Sequence, residues 1–233
     1  SDALKQGDGG NIVVWSDIDN QTSKTSVAGE ITAKGGALDG NGGNIETSGY
    51  LLELNDYHIS TKATYGYDGN WLLDPGNINI SNSGIDSLPG NSGPGGDTTI
   101  SPTTISNALD FNNISIKTGS GNYNININDP ISWTSSNNLT LEAGDEIIIN
   151  ANLSGNGSGD LTLISPNGIL LSENNNIVIT LNSGDLLLRS DHISFDGDYA
   201  SDTPAQTTIS VGGLLALESY SNTFSSSMIN GYE

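Results

Sequence analysis

Apolar and polar residues alternate in short runs along this chain, and the runs recur at a nearly constant spacing. Five segments share one plan, in which an apolar-x-apolar run, a small polar corner and a second apolar-x-apolar run follow one another. They begin at Ile114, Leu139, Leu161, Leu186 and Leu214, at intervals of 25, 22, 25 and 28 residues. Alternation with a period of two is typical of strands with one buried face. Self-similarity at this spacing indicates a solenoid, whose turns bury their apolar faces against each other.

The fold class predicted from this pattern is all-β, a right-handed parallel β-helix. Residues 1–81 form a first block, in which glycine pairs separate six strand-like pieces. These pieces are Asn11–Trp15, Gly29–Ala33, Gly43–Thr47, Tyr50–Leu54, His58–Thr61 and Asn77–Ile80.

Residues 82–104 are rich in Gly, Pro and Ser, which predicts a loop excursion from the solenoid or a linker. We favour a loop, because strand patterns resume on both sides. Residues 105–233 continue the β-helix repeats. We expect at most one short helix, over Thr104–Leu109, where a Ser/Thr start precedes apolar residues at helical spacing.

Composition narrows the class of protein. Hydrophobic residues make up 34% of the 233 residues, which is low for a globular enzyme, whereas a solenoid needs only a thin apolar column. The absence of cysteine excludes disulfides and thiolate metal sites. A formal charge of -21 repels nucleic acid and anionic membranes, so we expect neither as a partner.

No apolar run approaches the roughly 20 residues that span a bilayer, and the first residues lack the features of a signal peptide. We therefore expect no membrane insertion. We interpret the chain as a mature piece or a segment of a longer protein.

Four phrases in the first block occur in a fixed order: GGNIVVWSD from Gly9, GEITAKGG from Gly29, GNGGNIETSG from Gly40 and WLLDPGNINI from Trp71. This series resembles the filamentous-haemagglutinin-like exoproteins of two-partner secretion in Gram-negative bacteria, which include the high-molecular-weight adhesins. The resemblance covers about residues 9–80, and the rest is similar only in its style of repeat. It places the chain downstream of the secretion domain, whose signatures are missing.

The resemblance implies a β-helical shaft, a secreted or cell-surface location and a role in adhesion and virulence. The implied partners are a host-cell receptor, an extracellular matrix protein or a glycan, together with an outer-membrane transporter for the parent chain. It transfers no binding site, because the shared phrases mark packing and corners.

The phrase Ser-Gly-Asp-Leu occurs twice and places Asp160 and Asp185 before strands. In adjacent turns these carboxylates would stack about 4.8 Å apart and could hold calcium. The separation is also near that of the carboxylate pair in retaining glycosidases. We favour a corner in which each aspartate binds backbone amides. No cofactor is required on this interpretation, and calcium is the one cofactor that the residues suggest.

Other polar groups are weaker candidates. Asp17 with Asp19, and Asp196 with Asp198, have calcium-like spacing but lack the remaining ligands of an EF-hand. Asp191-His192 near Arg189 could form an acid/base pair, but two histidines and one arginine leave little machinery for proton transfer. We therefore expect no enzyme activity, and we interpret these groups as surface polar clusters.

Six Asn-x-Ser/Thr sequons are candidate glycosylation sites: Asn20, Asn79, Asn113, Asn138, Asn152 and Asn156. A composition so rich in Asn, Ser and Thr also produces such triplets by chance. Glycosylation is implied by the adhesins that the chain resembles. The three tryptophans, at positions 15, 71 and 133, would stack on sugars if exposed, and we favour a role in covering an open end or a loop.

Three functions remain open. The first, which we favour, is a shaft or binding segment of a bacterial adhesin that attaches to host cells, matrix or glycans. The second is a module that captures a specific protein through an excursion such as residues 82–104. The third is a carbohydrate-active lyase or hydrolase on the same fold, which would need the carboxylates of Asp160 and Asp185.

Overall fold

Strands dominate the computed structural model, which describes residues 1–83, 98–172, 175–195, 206–221 and 229–230. Within these ranges the chain forms 21 strands and one helix, α1 (Pro102–Ala108), which lies between β7 and β8. In chain order the strands are β1 (Asn11–Trp15), β2 (Lys24–Thr32), β3 (Asn44–Ser48), β4 (Leu51–Ser60), β5 (Asn70–Asp74), β6 (Ile78–Ile80), β7 (Thr98–Ile100), β8 (Asn113–Lys117), β9 (Ile125–Ile127), β10 (Ile131–Trp133), β11 (Leu139–Glu142), β12 (Glu146–Ile149), β13 (Leu153–Gly155), β14 (Leu161–Ile164), β15 (Gly168–Leu171), β16 (Ile177–Leu181), β17 (Leu186–Arg189), β18 (Ile193–Ser194), β19 (Thr207–Val211), β20 (Leu215–Glu218) and β21 (Ile229–Asn230).

Parallel pairing between successive turns builds a β-solenoid of about six turns, which confirms the predicted fold class. The first sheet has the strand order β1-β3-β5-β8-β11-β14-β17-β20. A second sheet runs β21-β18-β15-β12-β9-β6-β7, a third runs β10-β13-β16-β19, and β2 pairs with β4. Seven inter-strand steps of about 4.8 Å make the first sheet about 34 Å long.

The core is a set of aligned apolar columns. In the first sheet, one inward column consists of Ile45, Trp71, Ile114, Leu139, Leu161 and Leu186, and every member is 0–1% exposed. Burial of each such side chain contributes roughly 1.5–3 kcal/mol. The Trp71 indole donates a hydrogen bond to the Thr47 hydroxyl at 2.9 Å, so its polar atom is satisfied inside the core.

Several predicted boundaries were wrong. The predicted loop 82–104 is shorter at its end, because Thr98–Ile100 forms β7 and pairs with β6; residues 84–97 lie outside the described residues. Helix α1 begins at Pro102, two residues before the predicted start at Thr104. Pro102 suits a first helical position, and the Ser101 hydroxyl caps the helix by accepting a hydrogen bond from the Thr104 amide at 3.0 Å.

Two further differences concern strand register. The fifth repeat aligns Leu215, not Leu214, with Leu186, so the predicted start was wrong by one residue. The pieces predicted at 50–54 and 58–61 form one strand, β4. Asp56, with a φ of 43°, is the extra residue of a bulge opposite Ala28 and Gly29 of β2.

A corner ladder lies at the start of the first sheet, where seven successive strands each contribute one pair of residues. The stacked pairs are Gly10-Asn11, Gly43-Asn44, Gly69-Asn70, Asn112-Asn113, Asn137-Asn138, Gly159-Asp160 and Gly184-Asp185. Glycine is required where turns touch, since a Cβ on Gly43 would lie 2.0 Å from the carbonyl oxygen of Gly10. The glycine is replaced by asparagine in two central turns only, where α1 meets the solenoid.

Candidate binding groove beside helix α1

A groove of about 990 Å³ crosses the corner ladder where the two asparagines replace glycine. It is lined by the loop 62–68, by residues 110 and 113 after α1, by the corner 134–138 and by residues 158 and 160. These segments belong to four successive turns, so only the stacking of the solenoid brings them together. The volume lies at the upper end of the usual range for small-molecule sites.

The loop 62–68 is held in place by its own turn and by its neighbours. The Asp68 carboxylate accepts a hydrogen bond from the Ala63 amide at 2.7 Å, which closes the loop. The Tyr67 amide donates to the Asn41 side chain at 2.9 Å. The Tyr67 side chain is 85% exposed, so its ring is displayed to solvent from a fixed backbone.

Two buried asparagines link α1 and its C-cap residue to the segment that precedes β5. The Asn112 side-chain oxygen accepts hydrogen bonds from the Thr61 amide and hydroxyl, and its nitrogen donates to the carbonyls of Ile59 and Ala108. The Asn137 nitrogen donates to Asp68 Oδ2 at 2.9 Å and to the Leu109 carbonyl at 2.8 Å. Of the two, only Asn137 lines the groove, and both of its side-chain N–H groups are paired inside the protein.

The charge of the groove is net negative. Asp68, Asp110 and Asp160 contribute three carboxylates, against the single ammonium of Lys62. That ammonium donates to the Asp110 carbonyl at 3.0 Å and lies 5.2 Å from the centre of the Phe111 ring. The cation is thus already engaged by the protein.

Two smaller hollows meet at Phe111, and one of them adjoins the groove. One, of about 430 Å³, shares Lys62 with the groove, and the other, of about 260 Å³, lies between β4 and α1. His58 and Phe111 line both hollows, and their rings meet edge to face at 5.0 Å. A continuous indented surface therefore flanks α1.

Asp160 and Asp185 occupy neighbouring rungs of the corner ladder. Asp160 Oδ1 accepts a hydrogen bond from the Asp185 amide at 2.8 Å, and Asp185 Oδ1 accepts one from the Leu214 amide at 2.7 Å. This geometry agrees with the favoured interpretation as corners. Among the described residues, no three His, Asp or Glu side chains converge as a metal site would require. Calcium at this pair stays a prediction.

The other acidic candidates are separated or engaged. Asp17 accepts a hydrogen bond from the Asp19 amide in a local turn. Asp196 and Asp198 lie outside the described residues. The Asp191 carboxylate accepts hydrogen bonds from the Ser221 amide and the Ser219 hydroxyl, and these bonds hold its pKa below the usual value against the opposing effect of desolvation.

Arg189 does not join Asp191. Its guanidinium donates to the Glu218 carboxylate at 2.6 Å and 2.8 Å, across β17 and β20. The His192 amide donates to the Ser190 hydroxyl. Arg189 and Asp191 are each bonded to the next turn, as expected for the surface polar clusters that the sequence analysis favours.

The six candidate glycosylation sites differ in how their side chains are used. Asn20, Asn138, Asn152 and Asn156 are exposed, whereas Asn79 and Asn113 are half-buried. The Asn113 nitrogen, the atom that a glycan would modify, donates to two carbonyls at 2.7 and 3.1 Å. Asn138 and Asn152 use their oxygens to accept amide hydrogen bonds from the next turn, at 2.8 Å in each case.

The tryptophans divide into two kinds. Trp71 and Trp133 are 1% and 2% exposed and lie within the core, so neither stacks on a sugar nor covers an open end. Trp15 is 64% exposed at the outer face of β1, which leaves it free to touch a partner. The Trp133 ring lies against Gly155, where a Cβ would come within 2.8 Å of it.

Sequence reasoning did not find Tyr67, Asp110 or the buried asparagines. A signal for the asparagines exists, because the Gly-Asn and Gly-Asp pairs of the corner ladder change to Asn-Asn at two successive turns. No such signal marks Tyr67, which lies in a loop without a repeat partner. Its role depends on contacts that only the stacking supplies.

Comparisons with family profiles, with curated proteins and with solved structures gave no match for this chain. No helix in the described part of the chain is long and apolar enough to cross a membrane.

Proposed function

We propose that this chain is a binding segment of a secreted or surface-displayed bacterial adhesin, which attaches to host cells, matrix or glycans through the groove beside α1. The observation that carries this function is the groove itself. It combines an exposed tyrosine on a fixed loop with a polar floor that spans four turns. Concave sites with a few fixed polar groups are the usual places for recognition.

The solenoid supports the same function. Stacked turns hold the groove rigidly, because each wall is a corner of a hydrogen-bonded ladder. The four ordered phrases of residues 9–80 resemble those of two-partner-secreted adhesins, which supports a bacterial surface or extracellular location and an outer-membrane transporter for the parent chain. We expect no catalytic turnover.

Attachment of beads coated with the purified chain tests this function, since many copies on one bead reveal weak binding. Beads are applied to cultured epithelial cells and to wells coated with matrix proteins. We expect the Tyr67→Ala variant to lower attachment at least tenfold. Tyr65→Ala is the matched control, because Tyr65 is 72% exposed in the same loop but does not line the groove.

Protein capture is a second candidate, supported by the fixed base of the segment 84–97. Asp129 Oδ2 accepts hydrogen bonds from the Ser81 hydroxyl and the Asn82 amide at 2.9 and 2.8 Å; the amide bond is the main cause of its lowered pKa. Beads carrying a chain with residues 84–97 deleted separate the two candidates. Attachment that survives Tyr67→Ala but not the deletion favours capture. If beads coated with the unsubstituted chain attach to neither cells nor matrix, both candidate functions are contradicted.

A further inference from the structure

We propose that the groove selects neutral oligosaccharides over acidic ones, and that the ligand lies across the turns with one sugar ring stacked on Tyr67. This inference rests on the proposed function, because it names the ligand class of the same groove. It follows from the length of the groove, from the polar groups along it and from its charge.

The length of the groove suits an oligosaccharide of a few sugar rings. From Asn70 to Asp160 the corner ladder advances by three inter-strand steps, which is about 14 Å. Tyr67 stands at one end of this distance and Ser158 and Asp160 at the other. A ligand that follows the ladder therefore meets each turn once, and a single sugar ring would fill only part of the 990 Å³.

The polar groups along the groove suit hydroxyl partners. Ser136, Asn138 and Ser158 are exposed there, and the side-chain nitrogen of Asn138 and the two serine hydroxyls have no hydrogen-bond partner among the described residues. Hydroxyl and amide groups donate and accept hydrogen bonds, as sugar hydroxyls do. The Tyr67 ring adds a large, rigid contact surface at small entropic cost.

The backbone of the groove is already used, which disfavours a peptide. The Leu139 amide donates to the Asp160 carbonyl, and the amides of Asn138 and Asp160 donate to side chains of the preceding turn. A peptide that bound by adding a strand would need free backbone groups at this edge. A ligand that presents hydroxyls does not need them.

The charge of the groove sets the selectivity. The carboxylates of Asp110 and Asp160 face the groove, while Lys62 is held by the Asp110 carbonyl and Phe111. A sialic or uronic acid would meet these carboxylates within a chain of net charge -21. Repulsion at a few ångströms from two such charges lowers affinity by about tenfold or more.

Solution binding of matched sugars tests the inference. Neutral oligosaccharides of two to five hexose or N-acetylhexosamine units are compared with the same chains ending in sialic or uronic acid, by calorimetry or by shifts in amide NMR spectra. We expect at least one neutral ligand to bind, with an affinity at least tenfold above that of its acidic counterpart. Tyr67→Ala should abolish binding, and Tyr65→Ala should leave it unchanged.

Reversal of one charge sharpens the test. Asp110→Lys should raise the affinity for an acidic oligosaccharide by about tenfold relative to the affinity for its neutral counterpart. Asp110 is exposed, so this substitution disturbs no buried contact. Equal effects on both ligands would overturn the electrostatic basis of selection.

Failure of this inference is distinct from failure of the proposed function. If beads attach through Tyr67 but the groove binds only acidic sugars, or only a lysine-rich peptide used as a competitor, the ligand class is wrong and the adhesive function stands. If neutral sugars bind through Tyr67 while beads attach nowhere, the inference stands and the adhesive function is wrong. If no oligosaccharide binds, the inference is overturned.

Discussion

Asp74, at the end of β5, lies in an environment that disfavours the ionised form of its carboxyl group. Its Oδ1 atom is buried and has no hydrogen-bond partner in the described structure. Burial raises its pKa to about 6 from the usual 3.8, and repulsion from Glu46 and Glu142 adds to the effect while Lys117 opposes it. The folded protein therefore binds a proton at Asp74 more tightly than the unfolded chain does.

This residue gives the protein a component of stability that decreases as the pH rises. The component is fully present below about pH 4 and is lost as the pH rises from 3.8 to about 6, because the unfolded carboxyl ionises first. A shift of this size corresponds to roughly 3 kcal/mol, which screening by solvent reduces to about 1–2 kcal/mol. We expect Asp74→Asn to stabilise the protein by about that amount at pH 7.5 and to have little effect at pH 4.

Urea unfolding midpoints at the two pH values measure this effect. The exposed Asp19→Asn is the control for a general change in net charge. An Asp74→Asn variant whose midpoint gains no more at pH 7.5 than at pH 4 would contradict the assignment of the raised pKa to this residue.

At the scale of elements, Asn112 links α1 to β4 and to Thr61, the residue that precedes the loop 62–68. All four of its side-chain hydrogen bonds are buried, and each links a different backbone or hydroxyl group. Truncation would leave the Thr61 amide and the carbonyls of Ile59 and Ala108 without these bonds. The position thus couples the stability of the fold to the shape of the groove.

We expect Asn112→Ala to lower the free energy of unfolding by about 2–4 kcal/mol, because it leaves several buried polar groups without hydrogen-bond partners. Hydrogen exchange of the amides from Thr61 to Asp68 should accelerate more than exchange in β14, which lies beyond the groove. The exposed Asn122→Ala should change stability by no more than about 0.5 kcal/mol. A uniform acceleration of hydrogen exchange along the whole chain would argue against a local role for Asn112.

The elements also show how far sequence reasoning reaches here. The strict alternation in Leu139–Glu142 and Leu161–Ile164 predicts strands because one face of each is buried. The last repeat was misplaced because Leu214 and Leu215 both fit an apolar start, and only pairing with Leu186 decides between them. The groove was not predictable, since Tyr67 and Asp160 are brought together by stacking and by no local pattern.

At the scale of the whole molecule, negative charge outweighs the contacts that offset it. The chain carries 27 acidic and 6 basic residues. In the described residues, four ion pairs join Lys24 to Glu53, Lys34 to Glu30, Lys117 to Glu142 and Arg189 to Glu218. These pairs are largely exposed and stabilise little, so self-repulsion dominates the electrostatics of the folded state.

Salt should therefore stabilise the protein. We expect the melting temperature to rise as sodium chloride increases from 10 mM to 500 mM, because screening weakens repulsion more than it weakens the few ion pairs. Potassium chloride at the same ionic strength is the control and should give the same rise. A fall in the melting temperature with sodium chloride would contradict the dominance of repulsion.

The predicted calcium site is tested by the same measurement. Millimolar calcium that raises the melting temperature of the unsubstituted chain further, but not that of Asp160→Asn, would establish this site.

The corner ladder gives the molecule a direction. The side-chain oxygen of Asn113 accepts the amide of Asn138, that of Asn138 accepts the amide of Asp160, and Asp160 and Asp185 repeat the arrangement. Each of these corners offers its acceptor only to the turn that comes later in the chain. A folded turn therefore presents unpaired acceptors to the turn that follows it, and translation, which begins at the N-terminus, would supply the turns in the order in which these acceptors can be used.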